Sequence, residues 1–569
     1  MLTDASQVET GEIRTDFVTY PNRAGLRIAA CLDHLGDGSR SRPWVMLAPK
    51  YGETKKGTLQ LAYYLVANGL NVLRFDPTNH VGESEGRMEN FVLPGAVDDI
   101  LAGLDYLQAN HGVSQVTAVG NSLSARCMLR VAAADTRIKK LISIAGVVNL
   151  MATMHEIYKE DIFGRFQGGY RWGITDFLGF DINSDVFLGT VIEAGLHDLA
   201  GTVADVKKLR IPFVFFYAER DAWIQRTEVE QVVAVNPRGR LVTVSAAMHE
   251  VKENPQAARQ VFDQVAWACL HDTPYFPDGT AALLAPAKKA VMAQNRRERD
   301  RMRRSEAPTE SETQFWSNYL RKYSILEKSV DYRAYLELIG RLCGPLRPGA
   351  LVLDAGCGNG LFGLWLLREV WQRHALVSGD KPLIYVGLDL TQRGLADALE
   401  NHLNWRKKLH QIAKAREVPP PGLQYFLMDF DRLGEGAASP ARLPFQDATF
   451  DVICCSLVLS YLKQPRGLLQ ELFRVVRPGG VLVVSSMKPN CDLSIIYRDS
   501  IAANVTADDV DAARNLLRAA GKIKLKEEIG YYTFYTQAEL AGLAIDAGFN
   551  VVETHLSLGE QAVVIKAGR

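Results

Sequence analysis

A serine at a sharp turn is the first residue of this chain that could do covalent chemistry. Val116–Ala125 reads VTAVGNSLSA, an apolar strand pattern followed at once by a helical one, with Ser122 at the junction. Such a turn needs small residues two positions on either side of its apex, because larger side chains would collide as the backbone doubles back. Gly120 and Ser124 meet that need. The pattern predicts that Ser122 is a nucleophile.

Two further residues could activate the serine hydroxyl. A serine becomes nucleophilic when an imidazole takes its proton and a carboxylate fixes the imidazole tautomer. The chain order expected with this turn is serine, acid, histidine. Asp221 follows the strand pattern PFVFFY and His249 follows LVTVS. Singly, each is as readily a helix cap or a solvated loop residue. Their joint order predicts a triad, with Glu219 as the competing acid.

An oxyanion intermediate also needs backbone N–H donors. The residue after the nucleophile supplies one, and the loop after the third strand supplies the other. These positions predict Leu123 as the first donor, and Lys50 or Tyr51 as the second.

A second set of residues could hold a cofactor. Leu351–Gly360 reads LVLDAGCGNG, a strand ending at Asp354 and followed by three glycines, Gly356, Gly358 and Gly360. The glycines let the backbone pass close to a ligand at the start of the next helix. The following strand ends at Asp389, where an acid holds ribose hydroxyls in both dinucleotide dehydrogenases and methyltransferases. These residues alone leave both classes open.

Parallel sheets must position both sets of residues. Short apolar runs alternate with longer helical stretches in two series, which predicts an α/β fold with crossover helices in each half. The first series is WVMLA, NVLRF, QVTAV, LISIA and PFVFFY, and the second is LVLD, IYVGLD, FDVICC and GVLVVS. Residues 147–208, rich in aromatics and Met, interrupt the first series and are expected to form a cap over the nucleophile.

The boundary between the two halves is predicted near residue 305. Asn295–Arg304 is a dense charge run, NRRERDRMRR, followed by the polar stretch SEAPTESET. A charge run without interleaved aromatics is expected to be a solvated helix face and a linker. The predicted domains are therefore 1–305 and 306–569.

The composition favours a folded protein with small or neutral substrates. Apolar residues make up 47% and charged residues 23%, and Lys+Arg and Asp+Glu both number 65. This balance gives no long-range field to attract nucleic acid or an anionic membrane. The eight cysteines include no CxxC, as expected for thiols in a reducing compartment. The polar N-terminus and the lack of a long apolar run predict a cytoplasmic protein without a membrane span. No metal site is predicted.

The first half resembles a known family. The stretches LVANGLNVLRFDPTNHVGESEG, NSLSAR, GVVNL, IPFVFFYAERDAWIQ and MHEVKEN are similar to the acyl-transferase/thioesterase of bacterial bioluminescence operons, an α/β-hydrolase. The likeness covers residues 10–304 and includes the serine at position 124. It implies that Ser122, Asp221 and His249 are the triad and that Ser122 is acylated from an acyl-carrier or coenzyme A thioester.

The second half resembles class I S-adenosylmethionine-dependent methyltransferases, which have a Rossmann-like fold. The residues that carry this resemblance are LPFQDATFD, VICCSLVLSYL and LFRVVRPGGVL. It implies that Asp354 and the glycines hold the methionine end of the cofactor and Asp389 its ribose. Asp429, with Asp431 as the fallback, would hold the adenine amine. It also implies cofactor contacts from Phe430 and Ser456.

A fusion of these halves predicts a bifunctional enzyme, for which three hypotheses stay open. Ser122 takes an acyl group from a thioester, and the methyltransferase modifies the same or a linked intermediate. Alternatively, the first half is a carboxylesterase and the second a small-molecule methyltransferase of secondary metabolism. In the third, one domain is inactive and serves as a docking module. The methyl acceptor is expected to be a small molecule, and a homodimer is compatible with the sequence.

Overall fold

The chain divides into two compact units. The structure is a computed structural model that describes residues 12–271, 283–305, 311–321, 323–373, 381–416, 421–433, 441–501 and 506–569. The first unit comprises Met1–Ala307 and Ala520–Gly530, and the second comprises Pro308–Ala519 and Tyr531–Arg569. The sequence had assigned all of 306–569 to one domain, whereas the structure groups residues 520–530 with the first unit.

The first unit is built on an eight-stranded sheet with the strand order β1-β2-β4-β3-β5-β6-β9-β10. Its strands are β1 (Ile13–Pro21), β2 (Arg27–Leu35), β3 (Trp44–Ala48), β4 (Asn71–Phe75), β5 (Val116–Asn121), β6 (Ile138–Ile144), β9 (Phe213–Ala218) and β10 (Gly239–Val244). Strands β1 and β2 pair antiparallel, β2 pairs antiparallel with β4, and the remaining pairs are parallel. Alternate residues of β3 enter two separate buried clusters, so both faces of the sheet are covered.

Ten α-helices lie in the described residues 12–271 and 283–305. They are α1 (Leu59–Ala67), α2 (Leu93–His111), α3 (Leu123–Ala132), α4 (Leu150–Tyr158), α5 (Ile162–Gln167), α6 (Ser184–Glu193), α7 (Leu199–Val206), α8 (Arg226–Ala234), α9 (Pro255–Leu270) and α10 (Lys288–Ser305). Between β6 and β9 the chain forms α4 to α7 and a two-stranded hairpin of β7 (Ile174–Phe177) and β8 (Phe180–Asn183). This is the segment that the sequence predicted as a cap.

The charge run 295–304 is part of α10, and the expectation of a solvated linker is wrong for one face of this helix. Gln294, Glu298 and Met302 recur every four residues, and all three are buried. Glu298 pairs with Arg74 of β4, which is fully buried. The reason is that the buried face carries Gln294 and Glu298 beside Met302, and Glu298 pairs with a buried guanidinium.

The second unit is built on a seven-stranded sheet with the order β13-β12-β11-β14-β15-β17-β16. Its strands are β11 (Leu351–Ala355), β12 (Ile384–Asp389), β13 (Gly422–Leu427), β14 (Phe450–Cys455), β15 (Val476–Met487), β16 (Asn550–Ser557) and β17 (Ala562–Gly568). Only β17 runs antiparallel to its two neighbours, β15 and β16. The strand order reverses between β11 and β14, because β12 and β13 lie on one side of β11 and β14 lies on the other. Open α/β sheets bind their ligands at such a position.

The remaining helices belong to the C-terminal part of the chain. They are α11 (Glu312–Leu320), α12 (Val330–Cys343), α13 (Leu361–Arg373), α14 (Gln392–Arg416), α15 (Pro465–Val475), α16 (Ser494–Ile501), α17 (Ala507–Glu528) and α18 (Gln537–Asp546). The predicted α/β fold class is confirmed in both units. Across the described residues, every helix is too short or too polar to cross a membrane. All eight cysteines lie within described ranges, no disulfide joins any of them, and seven of them are buried.

Candidate active sites

Ser122 lies at the turn between β5 and α3, as the sequence pattern predicts. Its backbone has φ 51° and ψ −121°. Residues other than glycine rarely adopt this conformation. A Cβ at Gly120 would lie 2.6 Å from the Cα of Ala125, so only glycine fits there. Ser124 fits at the other position because its hydroxyl donates to the carbonyl oxygens of Asn121 and Ala48. The second small residue therefore ties the turn to the end of β3.

The structure brings Ser122, His249 and Asp221 into one hydrogen-bonded chain. Ser122 Oγ lies 2.8 Å from His249 Nε2, and His249 Nδ1 lies 2.8 Å from Asp221 Oδ2. The Asp221 carboxylate is fully buried, and its other oxygen accepts the backbone N–H groups of Trp223 and Ile224. These bonds fix the carboxylate so that it faces the imidazole.

The competing acid Glu219 lies elsewhere. Its side chain is exposed, and its carboxylate accepts the backbone N–H of Ala246 at 2.9 Å. Of the two acids that follow β9, Asp221 is therefore the one that contacts His249.

A cavity of about 50 Å³ adjoins this chain of side chains. Ser122, His249, Asn121 and Lys50 are among the residues that line it. A water needs about 10–15 Å³ by this measure, so the cavity has room for a small reacting group such as a carbonyl.

The three predicted oxyanion residues have different surroundings. Leu123 is the first residue of α3, where a backbone N–H has no partner within the helix. Lys50 lines the cavity, and its ammonium pairs with the carboxylates of Glu53 and Glu250. Tyr51 packs its ring edge-on against Phe177 and donates its hydroxyl to the Phe177 carbonyl.

Sequence reasoning missed two features of this site. The first is His80, which is buried and whose Nε2 accepts the backbone N–H of Gly52, next to Tyr51. Burial lowers the pKa of His80 to about 4, which keeps the imidazole neutral and able to accept this bond. His80 lies in the quoted stretch DPTNHVGESEG, so its presence was visible although its role was not.

The second missed feature is a buried charge cluster beside His249, formed by Glu53, Glu250, Lys50, Lys252 and Lys524. Lys252 lies 3.5 Å from Glu53 and 3.7 Å from Glu250, and Lys524 lies 3.3 Å and 2.5 Å from the same carboxylates. Burial raises the pKa of Glu53, but the three lysines lower it by more, so that it falls to about 2. Both carboxylates are therefore charged in this site.

In the second unit, the predicted glycine loop joins β11 to α13. Gly356, Gly358 and Gly360 all have positive φ, at 90°, 51° and 81°. A Cβ at Gly358 would lie 3.1 Å from Leu320, the last residue of α11. The loop is therefore left-handed at each glycine and is held at the first turn of α13, whose N–H groups face a ligand in such folds.

The two predicted acids of this unit lie on adjacent strands. Asp354 is buried, and Tyr385 donates its hydroxyl to it at 2.6 Å. Burial raises the pKa of Asp354 to about 7. Asp389 accepts the backbone N–H of Gly358 on one oxygen and the Thr391 N–H and hydroxyl on the other. Burial raises its pKa as well. Within the described residues, neither acid forms a salt bridge.

A buried histidine that the sequence did not single out also holds this loop. His402 of α14 is fully buried, and its Nε2 lies 2.7 Å from the carbonyl oxygen of Gly360. Its Nδ1 lies 2.6 Å from the hydroxyl of Tyr425. Burial lowers the pKa of His402 to about 4, so a neutral ring donates to Gly360 and accepts from Tyr425.

The other predicted cofactor residues have different surroundings. Asp429 is partly exposed, lies 3.4 Å from Arg432, and accepts the backbone N–H of Asp431. Phe430 is buried in the core. The Asp431 carboxylate accepts the backbone N–H of Lys463 at 2.7 Å. Ser456 lies 2.6 Å from the hydroxyl of Tyr335, beyond the end of β14.

Comparison with known proteins matches the two halves to two families. A family described as acyl transferase matches residues 43–275, and one described as methyltransferase domain matches residues 327–554. An acyl transferase of Photobacterium phosphoreum is 32% identical over 212 residues, which are 37% of this chain and 69% of that protein. An acyl transferase of Photobacterium leiognathi is 29% identical over 262 residues, 42% of this chain and 85% of that protein.

Among solved structures, a SAM-dependent methyltransferase from Aquifex aeolicus is similar to this chain. The sequence identity is 18%, and the match covers 43% of this chain and 92% of that protein, with a TM-score of 0.25.

Proposed function

Because the chain belongs to the acyl transferase family and also carries a methyltransferase domain, we propose that it transfers an acyl group through Ser122 and a methyl group from S-adenosylmethionine. The resemblance of the first half to acyl transferases and of the second half to methyltransferases is confirmed by the family matches. We further propose which residues carry each reaction, and which molecules donate and accept the acyl and methyl groups.

In the proposed acyl transfer, Ser122 Oγ attacks the carbonyl carbon of a thioester. His249, neutral and donating its Nδ1–H to Asp221, accepts the Ser122 proton at Nε2. The carbon–sulfur bond breaks and the thiol leaves with the proton from His249, so Ser122 carries the acyl group as an ester. A water or an alcohol then attacks this ester and gives its proton to His249, and the bond from the acyl carbon to Ser122 Oγ breaks as His249 returns the proton to that oxygen.

The observation that carries this proposal is the hydrogen-bonded chain from Ser122 through His249 to Asp221. Both contacts are 2.8 Å, within the range for a nucleophile and its base. Leu123 and Lys50 or Tyr51 are the proposed backbone donors to the oxyanion. A carrier-protein or coenzyme A thioester is the proposed donor, because the family to which the first half belongs transfers acyl groups.

The residues of the second unit fit S-adenosylmethionine. Asp354 and Asp389 are buried acids that form no salt bridge among the described residues, and burial raises their pKa values. A cationic ligand would stabilise the charged carboxylates and lower these pKa values. The left-handed glycine loop follows Asp354 in the chain, and Asp389 accepts the backbone N–H of its Gly358. We assign Asp354 and the glycines to the methionine end, Asp389 to the ribose, and Asp429, with Asp431 as the fallback, to the adenine amine. Phe430 and Ser456 are proposed as further cofactor contacts.

When bound, the cofactor supplies an electrophilic methyl group to an acceptor aligned with it. The chain's own part is to bind and orient the two molecules. We propose that the acceptor is the acyl intermediate of Ser122 or a molecule linked to it, because one chain carries both domains.

Intact-protein mass spectrometry tests the proposal. The full chain is incubated with a panel of acyl-carrier thioesters, coenzyme A thioesters and aryl esters. We expect a mass increase equal to the acyl group, which Ser122→Ala abolishes. Acylation by thioesters but poor hydrolysis of aryl esters would separate an acyl transferase from a carboxylesterase.

The two half-reactions are then measured separately. Ser122→Ala is expected to lose acyl transfer and keep binding of S-adenosylmethionine, and Asp354→Ala is expected to do the reverse. A domain that serves only for docking would lose nothing in its own assay when its site residue is replaced.

A further inference from the structure

The segment Ala520–Gly530 belongs to the first unit. It consists of the C-terminal part of α17 and the two residues that follow this helix. Three of its residues, Gly521, Lys524 and Glu528, are spaced so that they share one face of α17. A Cβ at Gly521 would overlap the carbonyl oxygen of Leu178, in the turn of the β7–β8 hairpin. This helix face therefore packs directly on the hairpin.

The next residue on this face, Lys524, reaches the loop that carries His249. Its ammonium lies 2.5 Å from Glu250, the residue after His249, and 3.3 Å from Glu53. Both carboxylates are 6% exposed at the side chain. An ion pair in such surroundings is strongly coupled, because little water screens it.

Glu528, the third residue on this face, binds the loop after β3. Its Oε1 accepts the backbone N–H of Thr54 at 3.0 Å and the Thr54 hydroxyl at 2.7 Å. Thr54 follows Glu53 and lies three residues after Tyr51, in the loop proposed to supply an oxyanion donor. The segment thus contacts the cap hairpin, the oxyanion loop and the histidine loop.

The cluster contains three cations and two carboxylates, and Lys524 supplies one of the cations. Lys50 and Lys252 together balance Glu53 and Glu250, and Lys524 is the third cation at the same two carboxylates. Lys524 is the member that comes from outside the loops themselves. Its contacts with Glu250 and Glu53 join the histidine loop to the oxyanion loop.

We propose that Lys524 is a positioning residue of the acyl site, which fixes the His249 loop against Ser122 through its ion pairs with Glu250 and Glu53. The inference rests on the proposed acyl transfer. It means that the acyl site is completed by a helical segment encoded within the methyltransferase half of the chain.

Replacement of Lys524 in the full-length protein tests this inference. Lys524→Met keeps the aliphatic stem and removes the charge. We expect kcat/KM for Ser122-dependent thiol release from an acyl thioester to fall about 10- to 100-fold, as for a small misplacement of a catalytic group. Lys524→Arg keeps the charge and is expected to recover activity to within about threefold of wild type. Lys207→Met, at an exposed lysine that follows α7, is the control and is expected to keep wild-type activity.

A pH–rate profile separates positioning from a loss of folded protein. The charged groups around His249 are Asp221, Glu250, Glu53 and the lysines of the cluster. Removal of one cation leaves the imidazolium better stabilised, so the acid limb of the Lys524→Met profile moves to higher pH. A smaller folded fraction would lower the rate at every pH and leave the limb in place.

A double-mutant cycle identifies the partner. In a Glu250→Gln background, Lys524→Met is expected to cost less than threefold, because the ion pair is already broken. Wild-type protein without Ser122-dependent thiol release from acyl thioesters would overturn the proposed function and this inference with it. Active wild type, with Lys524→Met as active and with an unshifted acid limb, would overturn this inference alone.

Discussion

The guanidinium of Arg74 holds the carboxylate of Glu298 through two hydrogen bonds, from Nη2 to Oε1 at 2.6 Å and from Nη1 to Oε2 at 2.7 Å. Both side chains are buried. Burial raises the pKa of Glu298, but Arg74 lowers it by more, so the acid stays charged. The helix α10 is therefore fastened to the sheet of the first unit by a buried ion pair.

Loss of that ion pair should destabilise the first unit. Glu298→Ala leaves the Arg74 charge buried with Asp33 as its remaining carboxylate partner. We expect the free energy of unfolding to fall by about 3 kcal/mol, the low end for a broken buried pair. Urea denaturation measures it, with the exposed Asp300→Ala as the control, expected to change stability by less than about 0.5 kcal/mol. Equal stabilities of the two variants would contradict a structural role for Glu298.

The role of α10 shows where the sequence pattern stops predicting the fold. The predicted apolar runs lie at strands of both sheets, and their positions agree with the structure to within a few residues, whereas β1, β2, β16 and β17 lie outside the predicted runs. The buried face of α10 carries Gln294 and Glu298, which an apolar pattern cannot reveal. Arg74 within the run NVLRF was the available signal, because a guanidinium in a buried strand requires an acidic partner.

Ser122→Ala should abolish acyl transfer without changing the fold. The substitution removes the nucleophile and keeps a small side chain at the strained turn, so we expect hydrolysis to fall at least about 10³-fold. Intact mass spectrometry should show no acyl adduct. Ser41→Ala, at an exposed serine, is the control. An adduct of unchanged mass on Ser122→Ala would assign the acylated residue elsewhere.

Asp221→Asn should separate the two acids that follow β9. An amide at this position would favour the wrong imidazole tautomer, and kcat is expected to fall about 10³- to 10⁴-fold. Glu219→Gln is the matched control, since that carboxylate bonds only the backbone of Ala246 among its described partners. Steady-state thiol release from an acyl thioester measures both. A larger loss in Glu219→Gln than in Asp221→Asn would reverse the assignment.

The sequence could predict the members of the acyl site that lie in loops directly after strands. Ser122, Asp221 and His249 follow β5, β9 and β10, and parallel strands bring such loops to one edge of a sheet. Lys524 could not be found in this way. It is 274 residues from Glu250, and such a contact leaves no periodic or local mark on the sequence.

Asp389→Ala should weaken binding of S-adenosylmethionine. The acid is proposed to hold the ribose and also accepts the Gly358 N–H of the glycine loop. Loss of bonds to a charged group amounts to about 1.5–3 kcal/mol, which is a 10- to 100-fold increase in Kd. Isothermal titration calorimetry measures it, with Asp397→Ala on the following helix α14 as the control. Equal affinities for wild type and Asp389→Ala would remove Asp389 from the cofactor site.

Glu528 should make the stability of the first unit depend on pH. Burial raises its pKa from the ordinary value of 4.5 to about 7, and one carboxylate oxygen has no hydrogen-bond partner among the described residues. Between pH 4.5 and 7 the unfolded chain releases this proton and the folded chain keeps it. The free energy of unfolding therefore falls as pH rises through this window, by up to about 3 kcal/mol.

Glu528→Gln isolates this effect, because glutamine stays neutral at every pH and its amide oxygen can still accept from Thr54. Below pH 4.5 both proteins carry a neutral group at this position, so their stabilities should change with pH in the same way there. Between pH 4.5 and 7, the wild type should lose stability relative to Glu528→Gln, and above pH 7 the difference should stay constant. Urea denaturation across pH 4–8 measures it. Other groups titrate equally in both proteins and cancel in the difference. A constant difference across the whole range would mean that folding does not shift the pKa of Glu528.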